Sequence, residues 1–135
     1  MASDMWSFRL TAPGTFTKVR AAAPSAEHLA DGQVLVRLEA GGLCGSDYTY
    51  FRGGKSDAVF TTDPASYGAT LPGASLHEIA GEVVASRDPD IQPGSHVVGW
   101  ATAMNGLSEY VVTEGASLAA YDSALPARTA VMIQP

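Results

Sequence analysis

The residues of this chain best suited to chemistry are a single cysteine and a histidine–glutamate pair. Cys44 is the one cysteine among the 135 residues, and His77 lies 33 positions further on, with Glu78 directly behind it. Thiolate, imidazole and carboxylate are all ligands that zinc takes in proteins. The soft thiolate favours Zn²⁺ over Mg²⁺ or Ca²⁺. The spacing alone is weak evidence, because one cysteine and one histidine at this distance often arise by chance.

The pattern leaves alternatives open for these residues. A lone cysteine cannot form an internal disulfide, so Cys44 is a metal ligand, a nucleophile or a buried small apolar group. Free cysteines are among the residues most often buried in proteins. Glu78 is a direct ligand, a carboxylate supporting the ligands, or a surface carboxylate.

Two polar residues close to the cysteine are suited to assist a metal site. Asp47 can accept a hydrogen bond from the ring of His77, which would orient the imidazole and raise its basicity. Ser46 can donate to an oxygen on the metal and pass its proton onward. The simpler interpretation of Ser46 is a helix cap.

The element that must position the cysteine is a strand. Residues 33–40 alternate apolar and polar side chains with the period of a half-buried strand. Gly41 and Gly42 follow, and they are predicted to form a sharp, close-packed bend. Cys44 is thereby expected just beyond a rigid strand end.

The rest of the chain reads as short strands and turns. One helical turn is predicted over 46–51, with Ser46 or Asp47 as its cap, and a long loop is predicted over 52–72. The further predicted elements are strands over 5–10, 15–20, 78–86, 96–100 and 109–113 and a helix over 124–133. This pattern predicts a mainly β fold, a small barrel or sandwich.

Composition excludes several classes of protein. A net charge of −6, without a cluster of basic residues, argues against binding nucleic acid. No apolar run approaches the ~18–20 residues that cross a bilayer, which argues against a membrane protein. The N-terminus lacks the basic start and apolar stretch of a signal peptide, so a cytoplasmic location is expected.

Four ordered segments closely resemble the zinc-dependent medium-chain alcohol, polyol and sugar dehydrogenases. They are Gly42-Leu43-Cys44-Gly45-Ser46-Asp47, Pro72-Gly73-Ala74-Ser75-Leu76-His77-Glu78-Ile79-Ala80-Gly81-Glu82-Val83, Pro93-Gly94-Ser95-His96-Val97-Val98 and Leu107-Ser108-Glu109-Tyr110-Val111-Val112. The resemblance covers nearly the whole chain from Gln33 onward. It implies a catalytic domain over residues 1–135 with a GroES-like fold, a partly open β-barrel with a few short helices.

The resemblance assigns roles to five residues. Cys44 and His77 correspond to the first two catalytic zinc ligands. Glu78 corresponds to the adjacent glutamate that ligates directly or on demand. Ser46 corresponds to the proton-relay hydroxyl beside the substrate oxygen, and Asp47 to the hydrogen-bond partner of the ligand histidine.

The same resemblance extends to a fourth ligand and to the substrate pocket. Gln134 stands where polyol dehydrogenases carry the glutamate of a Glu-Pro pair that binds zinc, and a neutral amide should hold zinc less strongly. Tyr50 and Phe51 fall where that family places aromatic residues near the substrate. Trp100 is predicted to belong to the core or to the pocket wall.

Three departures from the family pattern qualify these assignments. Thr49 replaces a proton-shuttling histidine, so the relay would end in water or another group. Leu76 replaces the usual glycine before the ligand histidine, which would shift the approach of that ring. The lobe that holds a structural zinc with four cysteines is absent.

The resemblance implies the zinc-binding half of an NAD(P)-dependent dehydrogenase that oxidises an alcohol, a polyol or a sugar to a carbonyl. No two glycines are spaced Gly-x-Gly, the fingerprint with which a Rossmann domain holds a dinucleotide. We therefore expect residues 121–135 to begin the connection to a Rossmann domain, supplied in cis or in trans. Without that domain the chain is expected to be inactive.

Two other functions compete with this one. The first is a stand-alone GroES-like module that binds or assembles with a partner and has no redox activity. The second is a zinc-independent relative such as a quinone reductase, against which Cys44 and His77 count because such relatives generally lack that pair. Self-association into a homo-oligomer is compatible with each of them.

Overall fold

The computed structural model describes residues 4–52, 72–74 and 76–133, which fold into two antiparallel sheets with a few short helices. The strands are β1 (Asp4–Ala12), β2 (Thr15–Ala22), β3 (Gln33–Gly42), β4 (Glu78–Ser86), β5 (His96–Trp100), β6 (Tyr110–Glu114) and β7 (Leu118–Tyr121). The α-helices are α1 (Gly45–Phe51) and α2 (Ala127–Ala130), with 3₁₀ turns at Ala26–His28, Gly115–Ser117 and Val131–Ile133. The mainly β prediction is confirmed.

The larger sheet has the strand order β6-β3-β4-β5-β7, and every neighbouring pair in it is antiparallel. One face of this sheet forms the main core, because β-branched residues alternate along its strands. Its fully buried aliphatic side chains include Val34, Val36, Ile79, Val83, Val97 and Val111. This rigid sheet carries the strand ends at which the candidate site lies.

Strands β1 and β2 form a hairpin that docks beside β6. The hydroxyls of Ser7 and Ser108 are buried and lie 2.7 Å apart, within hydrogen-bond distance. Phe8 N–H donates to the Leu107 carbonyl, and the Phe8 carbonyl accepts from Gly73 N–H at 2.8 Å. The hairpin is thereby tied to the segments that lead into β4 and β6.

The opposite face of the larger sheet is covered at one end by the C-terminal helical segment. Ala130 and Val131 are buried against Ala80 of β4, and Ala40 and Val98 pack around them. Helix α2 and the 3₁₀ turn that follows it therefore pack against the sheet. Among the described residues, no helix is long and apolar enough to span a membrane.

The structure corrects three local predictions. Gly41 and Gly42 do not bend the chain, because both continue β3 and pair with Ile79 and Glu78 of β4. The N-cap of α1 is neither Ser46 nor Asp47 but Cys44, whose backbone N–H donates to the Asp47 carboxylate. Strand β7 was missed.

The helix predicted over 124–133 is shorter than expected, with α2 and one 3₁₀ turn inside that range. The strands predicted over 78–86 and 96–100 have the bounds of β4 and β5.

Candidate metal centre

Antiparallel pairing of β3 with β4 brings the three predicted ligands together. Gly42 at the end of β3 is the register partner of Glu78 at the start of β4. Cys44 therefore follows one strand end at the point where His77 leads into the neighbouring strand. One ligand atom from each of Cys44, His77 and Glu78 lies within 4.8 Å of the others, and all three residues are half-buried. We call these three residues the metal triad.

Asp47 holds two parts of this site with its two carboxylate oxygens. Oδ1 lies 3.0 Å from Nδ1 of His77, and Oδ2 accepts a hydrogen bond of 3.0 Å from the backbone N–H of Cys44. Asp47 is only 2% exposed, so this carboxylate is buried together with its partners. A neutral ring that donates from Nδ1 to Asp47 keeps the Nε2 lone pair for a metal.

The two glycines at the end of β3 leave space for side chains of the site. A Cβ atom on Gly41 would lie 2.5 Å from Leu76 Cδ2, and one on Gly42 would lie 2.6 Å from Glu78 Oε2. Leu76, which departs from the family pattern, is 9% exposed and packs in the core with Ile79. The predicted bend at these glycines is wrong, because both pair within the sheet, whereas the predicted close packing is present.

Trp100 lies next to the metal triad on the neighbouring strand β5. It is the register partner of Glu78 on β5, and its ring meets that of His77 edge to face at 6.4 Å between centroids. Trp100 is half exposed, so its ring forms part of the rim of the site.

The two adjacent aromatic residues of α1 have different surroundings. Phe51 lines an apolar cavity of about 270 Å³, together with Asp47 and five apolar residues: Phe8, Phe16, Leu43, Leu76 and Leu107. Tyr50 is 2% exposed and packs against Leu10 in the core. Tyr50 does not appear in the described lining of this cavity, whereas Phe51 does.

The remaining predicted site residues are less tightly held. Ser46 is exposed in the first turn of α1, two positions after Cys44. Thr49, at the position of the family's shuttling histidine, donates to the carbonyl of Gly45 at 3.3 Å. Gln134 lies outside the described residues.

Comparison with known proteins identifies the domain. Residues 30–129 match the family described as the alcohol dehydrogenase GroES-like domain. The chain belongs to this family, part of the medium-chain dehydrogenase/reductase superfamily. The match spans β3 to β7 and both strand ends that carry the metal triad. No curated protein sequence matches the chain.

Solved structures share the fold of this GroES-like domain. The quinone oxidoreductase from Coxiella burnetii is 19% identical with a TM-score of 0.73, over 98% of this chain and 41% of that chain. An alcohol dehydrogenase superfamily protein from Novosphingobium aromaticivorans is 25% identical with a TM-score of 0.70, over 96% of this chain and 38% of that chain. CurK enoyl reductase is 18% identical with a TM-score of 0.75, over 97% of this chain and 39% of that chain. The chain thus spans about two fifths of the length of these structures.

Proposed function

We propose that this GroES-like domain is the zinc-binding catalytic half of an NAD(P)-dependent alcohol dehydrogenase. The observation that carries the proposal is the metal triad together with the Asp47–His77 hydrogen bond. The substrate is a primary or secondary alcohol, which includes polyols and sugars, and the product is the corresponding carbonyl compound.

The donor set fits a catalytic zinc. Such sites use three protein ligands and keep one position open, and Cys44, His77 and Glu78 supply a mixed set of sulfur, nitrogen and oxygen. Zinc supplies Lewis acidity, which polarises a carbonyl or lowers the pKa of an alcohol. Gln134 remains a proposed further ligand.

The chain's own residues would orient and move protons around this centre. Asp47 fixes the ring of His77 by accepting from Nδ1. The Ser46 hydroxyl would receive the proton of the alcohol, and its exposure would let that proton pass on to water. Trp100 would form one wall for the substrate beside the His77 ring.

The nicotinamide cofactor does not fit the residues of this chain, because the Gly-x-Gly fingerprint is lacking. A Rossmann domain, in cis or in trans, would therefore carry the NAD(P) that takes the hydride. Two observations support such a partner. The chain spans about two fifths of its structural neighbours, and large apolar side chains are exposed next to the metal triad and on the C-terminal turn. These side chains are Leu43, Trp100, Met132 and Ile133.

Metal analysis of the purified chain tests the proposal. We expect about one zinc per chain. We also expect a thiolate-to-metal absorption band after cobalt substitution, because Cys44 binds as the thiolate. Cys44→Ser should abolish the band and most of the bound metal, whereas the exposed control Ser123→Ala, in the turn after β7, should change neither. Wild-type protein without zinc after growth in zinc-supplemented medium would contradict the proposal.

A second candidate function is a zinc-independent reductase. It is favoured by the neighbours that are named quinone oxidoreductase and enoyl reductase, whose fold this chain shares. The metal triad argues against it, because a reductase without zinc needs no cluster of thiol, imidazole and carboxylate. The same metal analysis separates the two candidates.

A further inference from the structure

His77 lies one residue before β4 begins, and the described pairing of β4 with β3 starts at Glu78. Two backbone hydrogen bonds hold the short segment formed by Leu76 and His77. Gly106 N–H donates to the Leu76 carbonyl and Ala101 N–H donates to the His77 carbonyl, both at 2.7 Å. Both donors lie between β5 and β6. These bonds therefore orient the segment relative to the chain before β6, and not relative to β3, the strand that leads to the cysteine ligand.

The side chain of Leu76 supplies a contact with β3. A Cβ atom on Gly41 of β3 would lie 2.5 Å from Leu76 Cδ2, and one on Gly106 would lie 3.2 Å from the same methyl group. Leu76 Cδ2 therefore occupies space that side chains at both glycines would need. Leu76 is 9% exposed and belongs to the same core cluster as Val111. The residue directly before a proposed ligand is thus packed between the end of β3 and the segment before β6.

We propose that Leu76 is a positioning residue for the metal triad, because it holds His77 at the separation from Cys44 at which both bind one metal ion. The proposal rests on the proposed function, since it assigns a role at the same site. Leu76 departs from the family pattern, yet Nδ1 of His77 lies 3.0 Å from the Asp47 carboxylate. The packed leucine is therefore compatible with a correctly oriented ring, and truncating it would remove the side-chain contact that ties this segment to β3.

Zinc affinity separates a positioning role from a purely structural one. We expect Leu76→Ala to lower the zinc affinity of the folded protein about 10–100-fold, the usual cost of losing a group that orients a metal ligand. Competition with a chromophoric chelator measures the affinity, and urea unfolding measures the stability. A wild-type zinc affinity in Leu76→Ala would overturn the proposal.

Leu29→Ala is the matched control for this truncation. It removes the same atoms from a leucine that is 3% exposed and that precedes β3, whereas Gly41 lies at the other end of that strand. The control should lose stability, because it leaves a cavity in the core, but it should keep the wild-type zinc affinity. An equal loss of zinc affinity in Leu29→Ala would make the effect a general one and would overturn the proposal.

Two further variants keep the test informative if Leu76→Ala folds poorly. Leu76→Val lacks the Cδ methyl group that lies beside Gly41, so its zinc affinity should also fall. Leu76→Met nearly conserves the volume and reach of the side chain and should keep most of the wild-type affinity. Equal affinities of the valine and methionine variants would overturn the proposal.

NMR of the metal-free protein tests the positioning of the ring without zinc. The nitrogen chemical shifts of the neutral His77 ring report which nitrogen carries the proton. We expect the Nδ1–H form in wild type and in Leu29→Ala, because Nδ1 donates to Asp47. Leu76→Ala should instead show a mixture of the two neutral forms, and an unchanged Nδ1–H form in this variant would overturn the proposal. If wild-type protein bound no zinc, the proposed function would fail, and this comparison would still decide whether Leu76 positions the ring.

Discussion

Gly42 faces Glu78 across the β3–β4 pair, and a methyl group on Gly42 would lie 2.6 Å from Glu78 Oε2. The same methyl would lie 3.1 Å from Glu78 Cβ and 3.3 Å from Val131 Cγ2. A carboxylate oxygen cannot tolerate a carbon at 2.6 Å, so the Glu78 side chain would have to turn away. The Glu78 carboxylate can therefore lie at its observed position because Gly42 has no side chain.

Gly42→Ala is expected to displace the Glu78 carboxylate from the metal triad. We expect metal affinity to fall about tenfold. Mutation of the groups that orient a metal ligand usually lowers metal affinity by about 10–100-fold. The cobalt spectrum of the variant should resemble that of Glu78→Gln. Competition with a chromophoric chelator gives the affinity, and visible absorption gives the coordination.

Gly45→Ala is the matched control for this glycine. A Cβ atom on Gly45 meets nothing within 4 Å, so the variant should keep the wild-type affinity and spectrum. If Gly42→Ala were indistinguishable from Gly45→Ala while Glu78→Gln differed from wild type, Gly42 would have no part in positioning the ligand.

Asp47→Asn is expected to weaken metal binding through His77. The amide cannot serve both Nδ1 of His77 and the N–H of Cys44 with charged oxygens, so ring orientation and basicity both suffer. We expect a loss of about 10–100-fold in zinc affinity with the cysteine band retained. Ser46→Ala, measured alongside, should bind metal as wild type does, because its hydroxyl is proposed to act on the substrate proton alone. A wild-type affinity in Asp47→Asn would show that this hydrogen bond does not support the ligand.

Gly73→Ala is expected to destabilise the docking of the β1–β2 hairpin. Gly73 has φ +87°, and a Cβ atom there would overlap the Asn105 carbonyl and the Ser108 hydroxyl. Gly94 has nearly the same φ, +88°, but nothing within 4 Å of its Cβ position. Gly94→Ala should thus cost about 1–2 kcal/mol for left-handed backbone alone. Gly73→Ala should cost about 1–3 kcal/mol more because of overpacking.

Urea unfolding of the two glycine variants measures this difference in the free energy of unfolding. Equal losses would mean that the contact of Gly73 with the loop before β6 contributes nothing beyond its backbone conformation.

Tyr121→Phe is expected to stabilise the domain, most visibly at high pH. The hydroxyl of Tyr121 is buried and has no hydrogen-bond partner among the described residues. Burial, and then the charge of Glu39, raises the pKa of Tyr121 above its ordinary value. The folded state thus holds the proton more tightly than the unfolded state. Protonated Tyr121 therefore contributes to the free energy of unfolding. This contribution is fully present below the ordinary tyrosine pKa of about 10, and it is lost as the pH rises through the higher pKa of Tyr121 in the folded state.

Thermal unfolding between pH 7 and pH 11 tests this expectation. At neutral pH the phenylalanine variant should gain up to about 1 kcal/mol, because it removes an unpaired polar group. Above pH 10 its stability should fall less steeply than that of wild type. Tyr48→Phe, at a half-exposed position, should follow the wild-type curve. An unchanged alkaline slope in Tyr121→Phe would assign the loss of stability to other groups.

The strands were predictable where side chains alternate, and the failures have physical causes. Ile79, Val83 and Ala85 recur on one face along β4, and the segment with Pro89, Pro93 and Gly94 separates β4 from β5. β7 has the sequence Leu-Ala-Ala-Tyr, four apolar residues without alternation, and only its pairing with β5 makes it a strand. Gly41 and Gly42 have high turn propensity, which the β4 register overrides.

Cys44, His77 and Glu78 could be proposed as ligands from the sequence, but the geometry that brings them together could not. The spacing of Cys44 and His77 carries little information, since it is the antiparallel register of two strand ends that joins them. Tyr50 and Phe51 are adjacent in sequence, but successive positions on a helix project in different directions. Tyr50 is accordingly buried in the cluster with Leu10, whereas Phe51 packs against the edge of that cluster and lines the cavity. Nothing in the sequence pattern distinguished them.

Val131 lies close to the position that a side chain at Gly42 would occupy, so the C-terminal turn lies next to the metal triad. Val131 Cγ2 and Glu78 Oε2 both border the volume that a side chain at Gly42 would fill. The C-terminal turn thus borders the same small space as the carboxylate of a proposed metal ligand, and it does so through one side chain, Val131.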